Sequence, residues 1–585
     1  MIPGLQDPPE SLRELYRSPD ARAVQFRDNI RRYNGALAFT SIGFKTDTRL
    51  QGGYRPFQIQ GELYHLQGPL DVEPPAAPQY SQLWIVDPQM ATDVRCDRDP
   101  RIDRATLNEL TDVMQRVNPY IDVYKTAREQ LMTMEAHSPP GQMPPTAQLR
   151  LVMEAGADRR RENLPTASEV AGIIPDAGPD GRPSLDLSVT LRAPQDGPAC
   201  KRVLWTNANY LPLHYVLLFP HGEPGWDTTM RLQNISGERT RERLTLRQYH
   251  AYRLFPREGE FNTLFRAGRL FQQYVVDAFA CIDQNKLLWI RSNQRRIRAD
   301  LYQGLQDALT AVDTDETQPL GRRVVLPSGH TSSERFMHAA YQDAMAIAGR
   351  FTKPHLFITK TANPKWEEVQ RELLPGQNAM DRPDLISRVF RLKKQAMLDD
   401  IFKNGIFGLC VARVWTIEYQ KRGLPHLHLV IFLDHSDFLD PEVIDKIVCA
   451  ELPDLADPSW NNDAELADIV RSVMIHGPCG EHNPKASCME VDPRTGTSRC
   501  SKHYPRDFCE ETVVSEDGYP LYRRRNSPQT AFERTVAGKR VTIDNRWVVP
   551  YNPYLTKRYK AHINVEICSS IKVLKYLYKY IYKGL

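Results

Sequence analysis

Apolar positions along this chain keep two different spacings, and the change from one to the other divides the sequence. Ser11 to Tyr33 is a charged amphipathic stretch, followed by strand-like alternation in YRPFQIQGELYHL and an apolar QLWIVD, which together predict a small α+β unit over residues 1–90. Residues 91–240 are mixed, with proline-rich and polar segments at 136–150 (AHSPPGQMPPTAQLR) and 176–186 (DAGPDGRPSLD) that read as linkers. From Leu244 to Ala348 the pattern turns helical, and a long stretch from Arg269 meets no proline or glycine until Gly304, so 241–349 is predicted as a helical region. Beyond His355 the texture becomes short apolar strands, HLFITKT, GLCVARVWTIEYQ and HLHLVIFL. Lys421-Arg422-Gly423-Leu424-Pro425 joins the last two at hairpin length. This order predicts an antiparallel sheet with helices on one face, an α+β domain over 350–585.

The strand pattern places chemistry. His426 and His428 are two residues apart, so both leave one face of their strand while Leu427, Leu429 and Ile431 leave the other. Glu418 and Gln420 share a face of the preceding strand, opposite Trp415, Ile417 and Tyr419. A register that sets these faces side by side offers two nitrogens and an oxygen to one cation, a donor set that suits Mg2+ or Mn2+ when a phosphate adds oxygens. The bland alternative is a pair of polar residues on a solvated face. Near the C-terminal end, CSSIKVLKYLYKYIYKGL predicts a helix with Ile571, Leu574, Tyr578, Ile581 and Tyr582 on its apolar face. Tyr576 and Tyr580 fall opposite, one turn apart, among Lys572, Lys579 and Lys583. Ammonium groups favour a phenolate, which is a nucleophile for a phosphodiester.

Taken together, FITKTANPKW (357–366), EYQKRGLPHLHLVIF (418–432) and KYLYKYIYKG (575–584) resemble the replication-initiator portion of Helitron transposases, members of the HUH nucleases. The likeness extends upstream through RLFQQYVVDAFACIDQNKLLWIR and NIRRYNGALAFTSIG. The resemblance implies an HUH endonuclease that nicks and transfers single-stranded DNA in rolling-circle transposition, a form of DNA recombination by a transposable element. Histidines and a carboxylate or amide hold the metal, and tyrosine forms a 5′-phosphotyrosine. By position the two tyrosines are Tyr576 and Tyr580. This chain has Lys360 and Ala362 where the family usually has Phe and Cys. Family members continue into a helicase, which is expected here on another chain or lost. A nuclear location in a eukaryotic host follows from the same likeness.

Charge and cysteine content sharpen part of this picture. A net charge of +4 is too small over 585 residues to announce nucleic-acid binding by itself, so local clusters carry that case. Arg523, Arg524 and Arg525, then Lys557, Arg558 and Lys560 among Tyr551, Tyr554 and Tyr559, interleave cations with aromatics as single-stranded DNA binders do; a solvated charged face is the alternative for each. Ten cysteines are too sparse for a disulfide scaffold. Four of them lie at 479–509, within a Cys/His insertion expected at 440–530. His476, Cys479, Cys488 and Cys500 could hold a structural Zn2+, with His482, His503 and Cys509 as alternative ligands and incidental loop cysteines as the other reading. No apolar run of about eighteen residues and no secretory signal is present, so an intracellular protein without membrane spans is expected. The rival functional readings are a non-catalytic DNA-binding remnant of a transposase and a nucleotide hydrolase with a histidine nucleophile. The latter lacks further histidines, because Val430 and Phe432 hold the next positions on that face.

Overall fold

The computed structural model describes residues 2, 4–42, 45–46, 57–58, 64–68, 77–136, 147–151, 173–175, 187–190, 201–232, 243–293, 326–331, 333–351, 354–420, 423–434, 439–491, 496–514 and 520–568. Among them no helix is long and apolar enough to cross a membrane. The chain forms two compact units, one of residues 1–292 with 374–382 and one of 293–373 with 383–585.

The first unit is mainly helical. The amphipathic start forms three short helices, Glu10–Arg17, Ala21–Asp28 and Ile30–Leu37. The second begins at Asp20, whose side chain accepts the Ala23 N–H at 2.8 Å and satisfies a donor that the helix leaves open. QLWIVD supplies a 3-10 turn, Tyr80–Trp84, with Leu83 and Trp84 buried. Helix Arg104–Val117 buries Leu107, Leu110, Val113 and Met114, an i, i+3, i+6, i+7 stripe. These side chains share one core with Phe26, Tyr33, the run Leu213–Phe219 (apart from His214) and the long helix Gly268–Ser292. Strand Tyr64–Gln67 lies between Ser41–Ile42 and Lys201–Leu204 in an antiparallel sheet. The expected boundaries at 90/91 and 240/241 therefore fall inside one continuous core. Helices at 88–136 bury too much apolar surface for 91–240 to be a linker-rich region, although 137–146 and 176–186 lie outside the described residues.

The second unit is built on a four-stranded antiparallel sheet, in the order Cys410–Tyr419, Pro425–Leu433, Leu356–Thr361, Ile563–Ile567. Gly423, at φ +78°, turns the hairpin, its N–H donating to the Gln420 carbonyl at 2.7 Å. Helices cover both faces, which corrects the one-sided expectation. Helix Glu334–Phe351 packs Ala344 and Ala348 on Phe357, Val430 and Phe432. Helix Pro383–Phe402 serves the other face, where the Lys394 ammonium lies 4.1 Å from the Trp415 ring centroid and the Arg413 guanidinium 4.1 Å from that of Phe402. The fourth strand returns after a long excursion. That excursion carries helices Pro441–Ile447, Ala464–Val473 and Pro553–Tyr559 and three small hairpins, and it reaches the sheet only at Ile563, well past the expected end at 530. Buried Arg524 ties it together: one guanidinium nitrogen donates to the carbonyls of Asn545 and Val548, both at 2.7 Å, and of Ala450 at 3.2 Å.

Candidate functional site

The hairpin register sets Glu418 opposite His426 and Thr416 opposite His428, and the neighbouring strand sets Thr361 and Thr359 beside the same histidines. Directly paired residues leave one face of a sheet, so Glu418, His426, His428 and Thr361 share it. Glu418 Oε2 lies 3.3 Å from His428 Nε2. Two adjacent ligands on a cation at about 2.1 Å stand about 3.0 Å apart in octahedral geometry, so this pair is within a few tenths of an ångström of cis ligands. His426 and His428 have ring centroids 4.5 Å apart at 79°. Thr361 Oγ1 lies 2.8 Å from His426 Nδ1, which leaves Nε2 as that ring's candidate ligand atom. Phe357 stacks on His428 at 5.9 Å and 22°, limiting its rotation. Gln420 lies past the last paired residues, Tyr419 and Pro425, and its backbone closes the turn, which favours Glu418 as the oxygen donor.

Burial, with the positive potential of His428 and His562 beside it, pulls His426 down to about 3. Burial also lowers His428, while the Glu418 carboxylate works in the opposite sense. Both imidazoles are therefore neutral near pH 7 and can donate a lone pair. The strand Ile563–Ile567 adds residues that sequence reasoning missed. Asn564 pairs with Thr359 on the face of the histidines, and the His562 carbonyl accepts the Thr361 N–H at 3.0 Å. His562 is buried, with Nδ1 2.9 Å from the Val473 carbonyl oxygen. The alternation in INVEI was a strand signal that could have found this edge.

A second constellation forms in the excursion. His476, Cys479, Cys488 and Cys500 bring their ligand atoms within 4.8 Å of one another. Hairpin Met489–Val491/Ser498–Cys500 holds Cys500 opposite Met489, and Tyr504 stacks on His476 at 4.2 Å. His476 Nε2 is 3.7 Å from Cys479 Sγ and 3.5 Å from Cys500 Sγ. Zinc bonds of about 2.1 Å to nitrogen and 2.3 Å to sulfur give a tetrahedral edge of about 3.6 Å, so donors and spacing fit that ion. Burial and the neighbouring thiols push Cys479 up to about 12. Cys500 is drawn down despite its burial, helped by backbone N–H groups, Lys502 N lying 3.4 Å from its sulfur. The alternative ligands stay outside this group: His482 lies beside the Trp547 ring, His503 occupies a turn at φ +56°, and the Cys509 thiol donates to the Glu511 carbonyl.

The cationic residues expected to bind DNA are engaged within the protein. Arg523 pairs with Asp445 and Glu451, and Arg525 with Glu451. Lys557 pairs with Asp463, Lys560 with Glu465, and Arg558 with buried Asp400. Arg524, 4% exposed and bound to three carbonyls, is a structural tie and is withdrawn as a phosphate contact. Tyr576, Lys579, Tyr580 and Lys583 lie outside the described residues.

No curated protein matches the chain. Residues 249–431 match the family model of the Helitron helicase-like domain at the N-terminus, a span that takes in Glu418, His426 and His428 and ends before the cysteine cluster. Over that span the chain is Helitron-related.

Proposed function

We propose that this chain nicks single-stranded DNA and transfers the strand in rolling-circle transposition, with a divalent metal on the face of His426, His428 and Glu418. The observation that carries this reading is the Glu418–His428 approach at 3.3 Å on a sheet face shared with His426, inside the span that matches the Helitron model. Mg2+ or Mn2+, when bound, supplies Lewis-acid polarisation of the scissile phosphate. Thr361 orients His426, and Phe357 stacked on His428 holds that ring. Tyr576 or Tyr580 attacks phosphorus as its phenolate, favoured by Lys579 and Lys583. One Tyr-oxygen–phosphorus bond forms, the bond to the 3′ oxygen breaks, and that oxygen takes up a proton. The product is a 5′-phosphotyrosine, which a new 3′ hydroxyl reverses in strand transfer. Zn2+ in the His476/Cys479/Cys488/Cys500 cluster has a structural part in this reading.

Incubation with single-stranded DNA and manganese, resolved on a denaturing gel, tests it. A covalent adduct is expected from the parent, and His426→Ala or His428→Ala should lose at least about a hundredfold in rate. Glu418→Ala should lose more than Gln420→Ala. The Tyr576→Phe/Tyr580→Phe variant should form no adduct, while Tyr578→Phe/Tyr582→Phe forms it normally. An undiminished His428→Ala protein would overturn the metal assignment.

A further inference from the structure

Beside the metal face, Arg506, Phe508, Tyr522, Arg524 and Glu566 line a cavity of about 260 Å³. Glu566 stands on the edge strand opposite Phe357, and its neighbour on the same face, Asn564, lies across Thr359 from His428. Strands are spaced by about 4.8 Å and residues rise about 3.4 Å along them, so Glu566 at the cavity's edge stands about 12 Å from His428, on the order of two nucleotides of extended single strand. Its walls combine two kinds of group. Phe508 is 36% exposed and offers a ring face backed by the Arg546 guanidinium at 4.9 Å. Tyr522 is buried and fixed by the Ile567 N–H, which its hydroxyl accepts at 2.9 Å. The polar groups are of opposite sign. Arg506 lies over the Tyr504 ring at 5.3 Å, Arg524 is held by its three carbonyls, and Glu566 accepts the Asn564 amide at 3.0 Å.

We infer that this cavity binds one base of single-stranded DNA beside the nick site and prefers guanine. The ring faces stack on any base. Arginine donates to the O6 and N7 acceptors of guanine, and a carboxylate accepts from its N1–H and N2–H donors. Adenine, cytosine and thymine do not present two adjacent donors to a carboxylate beside an acceptor pair for arginine. The inference rests on single-stranded DNA being the substrate of the metal face, and it adds the base that is read there.

The test uses the whole chain and fluorescein-labelled dT15, alone or with one central guanine or inosine, by anisotropy without added magnesium or manganese. Guanine should tighten binding about tenfold, and inosine, which lacks the N2 amino group, should recover only part of that gain. Arg506→Ala and Phe508→Ala should erase the ratio between guanine-bearing and all-thymine strands. Phe508→Leu, a milder change with circular dichroism as a fold check, should reduce it. Absence of a guanine preference in the parent, or its survival in both alanine variants, would overturn the inference. Adduct formation with manganese on the same strands is scored separately. Nicking without guanine preference removes the cavity's role and leaves the nuclease reading; guanine preference without nicking does the reverse.

Discussion

Lys360 is a fully buried lysine on the sheet face turned away from the histidines, with its Nζ 4.3 Å from the Tyr559 ring centroid and 5.8 Å from that of Trp366. Burial, and then Lys393 nearby, holds its pKa well below the usual lysine value. The unfolded chain therefore binds a proton that the folded one resists. The folded-state pKa is depressed, so this residue's stability contribution is complete above the unfolded value near 10.5 and is lost as pH falls toward the folded value. Lys360→Met, similar in length and without the charge, should raise the stability of the second unit at pH 7 by about 1 kcal/mol or more. The gain should grow as pH is lowered, measured by denaturant unfolding, and a destabilised variant would show that the aromatic contacts outweigh the desolvation. Single residues also mark how far sequence reading reaches. His426, His428 and Glu418 were legible because a period of two fixes which side chains share a face. His562 and Asn564 were not read, because their strand joins the sheet from beyond the cysteine excursion and local spacing says nothing of that pairing. For Arg523 and Arg525, local reading did not anticipate Glu451 and Asp445, carboxylates more than seventy residues away in sequence that pair with them.

Among the elements, the excursion after Leu433 depends most on something besides its apolar core. Its hairpins are only two to five residues per strand, and the cluster around Cys479 and Cys500 is completed by Val541, Ile543 and Trp547. A core so small would gain a large share of its stability from an ion held by these four residues. Purified protein should carry about one zinc per chain by metal analysis. Cys500→Ser should lose it and open hydrogen exchange across Met489–Val491 and Ser498–Cys500, whereas Cys509→Ser should keep it. Metal-free protein with unchanged exchange there would return the cysteines to an incidental role. The ligand set was readable from its residue types, while the fold around it was not, because no Cys-x-x-Cys spacing announces a known knuckle. The sheet elements were readable for the opposite reason: HLFITKT and HLHLVIFL are apolar on both sides, and helices Glu334–Phe351 and Pro383–Phe402 cover both.

At the scale of the molecule, each unit has its own dependence on conditions, and the first unit's is set by buried polar groups. Asp277, on the long helix, accepts hydrogen bonds from Tyr210 at 2.7 Å and Tyr215 at 2.9 Å, and His65 Nε2 lies 3.4 Å from it. His214 packs against His65 at 4.4 Å, and His250 Nδ1 meets the Tyr274 hydroxyl at 3.1 Å. Burial brings His214 down to about 3, with His65 acting in the same sense and Asp277 against it. Burial brings His250 down to about 4, against Asp277 and with Arg253. Both are neutral when folded at pH 6, whereas unfolded histidine titrates near 6.5. The unfolded chain then binds more protons as pH falls below about 6.5, so stability present above that value declines toward pH 4 and 3. Each histidine contributes at most roughly 1.4 kcal/mol per pH unit in that window, and the pair together up to about 3 kcal/mol between pH 5 and pH 4. Hydrogen exchange of helices Leu246–Arg253 and Gly268–Ser292 should therefore accelerate, after correction for intrinsic rates, on going from pH 7 to pH 5. His250→Gln, which can keep a hydrogen bond to Tyr274 without titrating, should flatten part of that slope. A slope unchanged in that variant would mean that other groups, with Asp277 foremost, set the acid sensitivity of this unit.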